Sequence, residues 1–124
     1  MAATVMVIED EVDIRLVERM QLELAGYHVV EANSAEEALA LLDNAEPDAI
    51  VLDLGLPGVD GWEFLSRLRN AGQFPRIPVI IVTAHASPGR DVEALRMGCR
   101  AYVTNPFSPD ALAKTLSSVL GAGQ

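Results

Sequence analysis

Two arrangements of apolar residues alternate along the chain. Short runs, apolar nearly throughout, at Thr4–Ile8, Tyr27–Ala32, Ala49–Leu52, Pro78–Thr83 and Ala101–Thr104 have the length and β-branched content of strands in a sheet covered on both faces. Between them the period lengthens. Val12, Leu16, Val17, Met20 and Leu24 recur at helical spacing, with Arg15, Glu18, Arg19 and Glu23 interleaved. This predicts an amphipathic helix from Val12 to Ala25, packed through its apolar stripe and ended by Gly26. Ser34-Ala35-Glu36-Glu37 is a capping box that opens a second helix. That helix buries Ala38, Leu39, Leu41 and Leu42 and stops before Pro47. Trp62, Leu65 and Leu68 form the inner stripe of a third helix ending at Asn70. Arg90–Met97 is a short fourth helix closed by Gly98. Ser108 caps the last, with Pro109 at its first position and Asp110 near its positive end.

Five strands alternating with five helices, the strands apolar nearly throughout, predict a parallel sheet covered on both faces. The corresponding class is α/β: a flavodoxin-like, doubly wound (βα)5 domain with strand order 2-1-3-4-5. With 124 residues, half of them hydrophobic and 22% charged, the chain makes one folded domain over 1–124. No output domain is expected after the last helix. The net charge of −9 disfavours nucleic acid and anionic membrane surfaces as partners. The amino terminus lacks the basic region of a signal peptide, and no apolar run approaches the roughly 18 residues of a membrane span. A cytoplasmic location is therefore expected. Cys99, with only His28 and His85 to join it, sets up neither a disulfide framework nor a zinc site, and reads as a small buried hydrophobe.

The strand ends carry the chemistry. The first strand runs into Glu9-Asp10-Glu11, and the third into Asp53 and a turn rich in Gly and Pro. In a 2-1-3-4-5 sheet the carboxyl ends of strands one and three adjoin at the switch point, where open α/β sheets place their ligand sites. Glu9, Asp10 and Asp53 then meet, with Thr83 on the neighbouring strand and Asn105 just past the fifth. Carboxylates so gathered repel one another and invite a hard divalent cation. Mg²⁺ fits, using two carboxylates, a backbone carbonyl such as that of Gly55, and waters.

In these positions the chain resembles the receiver domains of bacterial two-component response regulators. The resemblance rests on Glu9-Asp10, on Asp53 with Leu56-Pro57-Gly58-Val59-Asp60-Gly61, on Thr83-Ala84, and on Tyr102 followed by Asn105-Pro106-Phe107. It implies that Asp53 accepts a phosphoryl group from a histidine kinase or phosphotransfer protein. It also implies that Glu9 and Asp10 hold Mg²⁺, Glu9 through water, and that Thr83 hydrogen-bonds the phosphoryl group. Tyr102 would turn inward as Thr83 moves, and the face of helix four, strand five and helix five would meet a target or a second receiver. The Asn105–Pro106 bond would be cis. Such a domain is not an enzyme in the usual sense, but a phosphoacceptor that assists its own phosphorylation and dephosphorylation. The family places a lysine at position 105, and this chain has eight Arg but only one Lys, Lys114, far along the last helix.

Plainer readings of the same residues stay open. Thr83 also suits an ordinary strand, Tyr102 ordinary sheet packing, Glu9-Asp10-Glu11 a solvated helix start, and His85 a loop without a role. A phosphorylation-independent interaction module on this fold is the main alternative function. A nucleotide-binding enzyme is disfavoured, because Glu-Asp-Glu stands where a Gly-rich phosphate loop would follow the first strand.

Overall fold

The computed structural model describes residues 2–83, 89–104 and 110–121. In chain order the elements are β1 (Thr4–Ile8), α1 (Val12–Leu24), β2 (His28–Ala32), α2 (Ala35–Leu41) and β3 (Ala49–Leu52). They continue as α3 (Gly61–Asn70), β4 (Val79–Thr83), α4 (Arg90–Met97), β5 (Ala101–Thr104) and α5 (Ala111–Gly121). All five strands are parallel, in the order β2-β1-β3-β4-β5. The fold class read from the apolar pattern is the fold observed.

Alternate residues of a strand point to opposite faces, so each buried strand supplies two cores. Met6, Ile8, Ile50, Leu52, Val79 and Ile81 join Ala35, Ala38 and Leu42 of α2, Phe64, Leu65 and Leu68 of α3, and Ala94 of α4. On the other face Val5, Val7, Ala49, Val51, Ile80 and Val82 meet Leu22 of α1 and Leu112 and Leu116 of α5. The helix caps follow from local chemistry. Ser34 Oγ accepts from the Glu37 N–H at 3.0 Å, and Asp60 Oδ1 from the Glu63 N–H at 2.9 Å. Asp60 thus starts α3 one residue earlier than expected. The buried stripe of α3 is Gly61, Phe64, Leu65 and Leu68, with Trp62 only half-buried against the same core.

The principal correction concerns α1. Its apolar stripe faces outward: Val12 is 65% and Leu24 87% exposed, and Leu16, Val17 and Met20 are each about half exposed. The inward side presents Glu18 and Leu22, both buried, with Gln21 beside them. Leu22 alone of α1 enters the core cluster. Polar contacts hold the helix instead. Arg15 Nη1 donates to the Glu9 carbonyl at 2.8 Å and Arg15 Nε to Glu31 Oε1 at 3.3 Å, while Arg19 Nη1 donates to Glu31 Oε2 at 2.8 Å. Burial, reinforced by the charge of Asp53, pushes the Glu18 carboxyl up to about 7 from its ordinary 4.5.

Two expectations follow. A Cβ at Gly61 would lie 2.8 Å from Leu54 Cα and 3.0 Å from the Asp53 carbonyl, closer than side chains pack. Gly61→Ala should therefore destabilise the domain by about 1–3 kcal/mol in urea denaturation, and an unchanged midpoint would contradict this packing. For Glu18, folded and unfolded states are both neutral below pH 4.5, and the cost of ionising the buried group builds up to about pH 7. Glu18→Gln should accordingly match the parent at low pH and exceed it above pH 7, by on the order of 3 kcal/mol. Denaturation curves at several pH values test this, and a gain independent of pH would refute it.

Candidate functional site

The parallel ladder brings the strand ends together. Just beyond β3, the Asp53 N–H donates to the Ile8 carbonyl at 3.2 Å, and just beyond β1 the Glu9 N–H donates to Ala32 at 3.1 Å. Glu9 and Asp53 therefore leave adjacent strands at the same level. Glu9, Asp10 and Asp53 each offer an oxygen within 4.8 Å of the others, with Glu9 buried, Asp53 half-buried and Asp10 exposed. The three carboxylates singled out from the sequence thus form one cluster.

Local bonds set their orientation. Asp53 Oδ1 accepts from the Gly55 N–H at 3.0 Å, a tight turn that turns this carboxylate back over its own loop. Glu9 Oε2 accepts from the Glu11 N–H at 3.1 Å, and Arg15 fixes the Glu9 backbone. Burial pushes the Glu9 carboxyl up to about 8 from 4.5, against the lowering effect of the Glu11 N–H. The charge of Asp53, a hydrogen bond with Asp10 and the charge of Glu18 raise it further. A carboxyl that burial and neighbouring acids hold in its neutral form, as they do Glu9, is what a hard dication would relieve. The donor set, all carboxylate oxygen with an exposed side for water, fits Mg²⁺ better than a softer metal. Gly55, in the exposed part of the turn, places a further carbonyl in the same loop.

Thr83, the last residue of β4, is buried and pairs in register with Thr104 of β5. Tyr102 pairs with Ile81, and its half-buried ring packs against the α2/α3/α4 core. Its hydroxyl is shielded from solvent and has no hydrogen-bond partner among the described residues. Burial raises the Tyr102 phenol, while Arg90 lowers it and Asp91 raises it. His85, Asn105 and the Asn105–Pro106 bond lie outside the described residues.

Glu18 is buried without a sequence motif to mark it. It lies among the polar residues interleaved with the apolar stripe, one turn before Leu22, the single leucine on that side of the helix. That leucine was the signal that the helix could be turned the other way.

Comparisons with known proteins match this geometry. The family model described as the response regulator receiver domain matches residues 5–117. The phosphate regulon transcriptional regulatory protein PhoB of Pseudomonas aeruginosa is 37% identical over 117 residues, covering 94% of this chain and 51% of PhoB. The chain thus spans about half the length of that relative. The polar-differentiation response regulator DivK of Brucella ovis is 37% identical over 122 residues, covering 98% of each chain. The solved structure of the chemotaxis protein CheY4 of Vibrio cholerae superposes with a TM-score of 0.88 at 33% identity, over 97% of this chain and 100% of that one. A carboxylate cluster at the β1 and β3 ends, on a sheet of this order, is thus found in a chain whose sequence matches one family nearly from end to end: it belongs to the response regulator receiver domains.

Proposed function

We propose that this domain is a phosphoacceptor in two-component signalling, with Asp53 as the residue modified. The observation that carries the reading is the meeting of Glu9, Asp10 and Asp53 within 4.8 Å at the mouth of a receiver fold. A carboxylate oxygen of Asp53 attacks the phosphorus of a phosphohistidine on a kinase or phosphotransfer protein. The P–N bond breaks, imidazole leaves, and an acyl phosphate remains on Asp53. Glu9, Asp10, Asp53 and the Gly55 carbonyl would hold Mg²⁺, which when bound supplies charge neutralisation for the incoming phosphoryl oxygens. Thr83, at the end of β4, hydrogen-bonds the phosphoryl group. Tyr102 reports the change to the face of α4, β5 and α5, where Val92 and Leu95 stand about half exposed.

The phosphodonor docks on the outward face of α1. That helix begins two residues after Asp10 and carries five of the seven large hydrophobic side chains exposed among the described residues. Exposed apolar stripes of this kind mark interaction surfaces. The substitution of Asn for the family lysine at 105 supports a weak switch. With all three carboxylates ionised around Mg²⁺ the pocket keeps a net charge of about −1, and Asn adds a hydrogen-bond donor but no charge. The same substitution favours the second reading, an interaction module that works without phosphorylation.

Incubation with acetyl phosphate and Mg²⁺ should add one phosphoryl group by intact mass, and Asp53→Asn should abolish it. Asn105→Lys should speed the reaction by about one to two decades. No mass gain in either form would leave the interaction module as the better reading. Replacing Leu16 and Met20 together by Ser should slow transfer from a phosphorylated histidine kinase about tenfold or more, while leaving the acetyl phosphate reaction unchanged. Equal slowing with both donors would show that α1 supports the pocket rather than the donor.

A further inference from the structure

The basic residues are unevenly spread. Seven of the nine lie from Arg67 onward, together with only three of the eighteen acids, Asp91, Glu93 and Asp110. Four of those arginines gather where the connection from α3 to β4 meets the turn from α4 to β5. A Cβ at Gly98 would lie 3.2 Å from Pro75 Cβ and 3.5 Å from Phe74 Cζ, so the two loops pack closely there. Arg69 of α3 ties them together. Its Nη2 donates to the Met97 carbonyl at the end of α4, and its guanidinium stands 5.1 Å from the centroid of the Phe74 ring. Arg76 follows Pro75 directly, and Arg96 and Arg100 stand two residues to either side of Gly98. The Arg100 N–H donates to the Val79 carbonyl at 2.8 Å, which fixes the turn to the start of β4. Arg76, Arg96 and Arg100 are all exposed, and none of them enters an ion pair among the described residues.

We propose that Arg76, Arg96 and Arg100, on the platform that Arg69 holds together, form a docking surface for an acidic polypeptide segment of a partner protein. Charge complementarity points to this occupant. In a chain of net charge −9, a group of unpaired guanidinium groups is where a partner's carboxylates are drawn. Each guanidinium can hold a carboxylate through two parallel N–H donors. Because the tie from α3 to α4 sets the loops in place beforehand, docking costs little ordering of the backbone. Duplex DNA fits less well. Its charge repeats about every 1.7 Å along the axis, and past this patch it meets the acids that crowd the first half of the chain. The patch stands at the amino ends of β4 and β5, whereas Asp53 follows the carboxyl end of β3. A five-residue strand such as β4 separates the two ends by about 15 Å. Docking at the patch needs no phosphoryl group on Asp53.

The test uses the full chain with decaglutamate as the acidic probe and decaglutamine as the uncharged control. In a ¹H–¹⁵N NMR titration, the amides of Arg76, Gly98, Cys99 and Arg100 should shift with decaglutamate and stay in place with decaglutamine. Raising NaCl from about 0.05 to about 0.3 M should weaken the binding several-fold. Arg76→Ser, Arg96→Ser and Arg100→Ser combined should weaken it about tenfold or more. If that triple variant folds poorly, Arg96→Ser with Arg100→Ser takes its place. No shift with decaglutamate, shifts centred on other residues, equal shifts with decaglutamine, or unchanged binding by the folded variant each overturn the proposal. Mixed-sequence duplex DNA that moves the same amides at lower concentration than decaglutamate also overturns it, and assigns the patch to nucleic acid.

Discussion

Parallel pairing of β1 with β3 is the interaction on which the rest of the molecule depends. Each strand is apolar to its last residue, and each is followed at once by carboxylates. Registering Ile8 against Leu52 buries the two strands and, in the same step, sets Glu9 and Asp10 beside Asp53. Burial of apolar surface drives the pairing, and the electrostatic cost of crowded acids is carried at its end. The raised Glu9 carboxyl is the sign of that cost. Folding thus prepares a site whose charge is relieved only by protons or by a cation.

The helices answer this constraint unevenly. α3 seats Phe64, Leu65 and Leu68 in the core and brings Gly61 hard against Leu54 and the Asp53 carbonyl, fixing the turn that carries the central carboxylate. α1 is different. It gives one leucine to the core, relies on Arg15 and Arg19 for attachment, and turns its best apolar residues to solvent. A helix anchored by polar contacts beside a charged pocket, with an apolar outer face, suits a surface that partners engage and release.

Most of the fold was legible in the sequence because strands buried on both faces leave unbroken apolar runs and glycines mark the helix ends. Asp53, Glu9 and Asp10 were legible because carboxylates straight after apolar runs mark the carboxyl ends of strands, although Glu9 is buried there while Asp10 reaches solvent. The direction of the α1 stripe was not. Periodicity identifies a helix face but does not say which side the sheet will take, and here the connection from β1 and the Arg15 and Arg19 contacts turned Glu18 inward. In α3 the spacing of Trp62, Leu65 and Leu68 obscured Phe64, which the core chose because the helix starts at Gly61. β5 reads as a buried strand but is partly exposed, since it lies at the edge of the sheet.

The central claim is that the carboxylate cluster forms a phosphoryl-accepting pocket at Asp53. Fluorine NMR with beryllofluoride, a phosphoryl mimic, addresses it without any partner protein. The account predicts bound fluorine resonances that require Mg²⁺ and vanish in Asp53→Asn. Free beryllofluoride alone, with Mg²⁺ present and the protein folded, would contradict it.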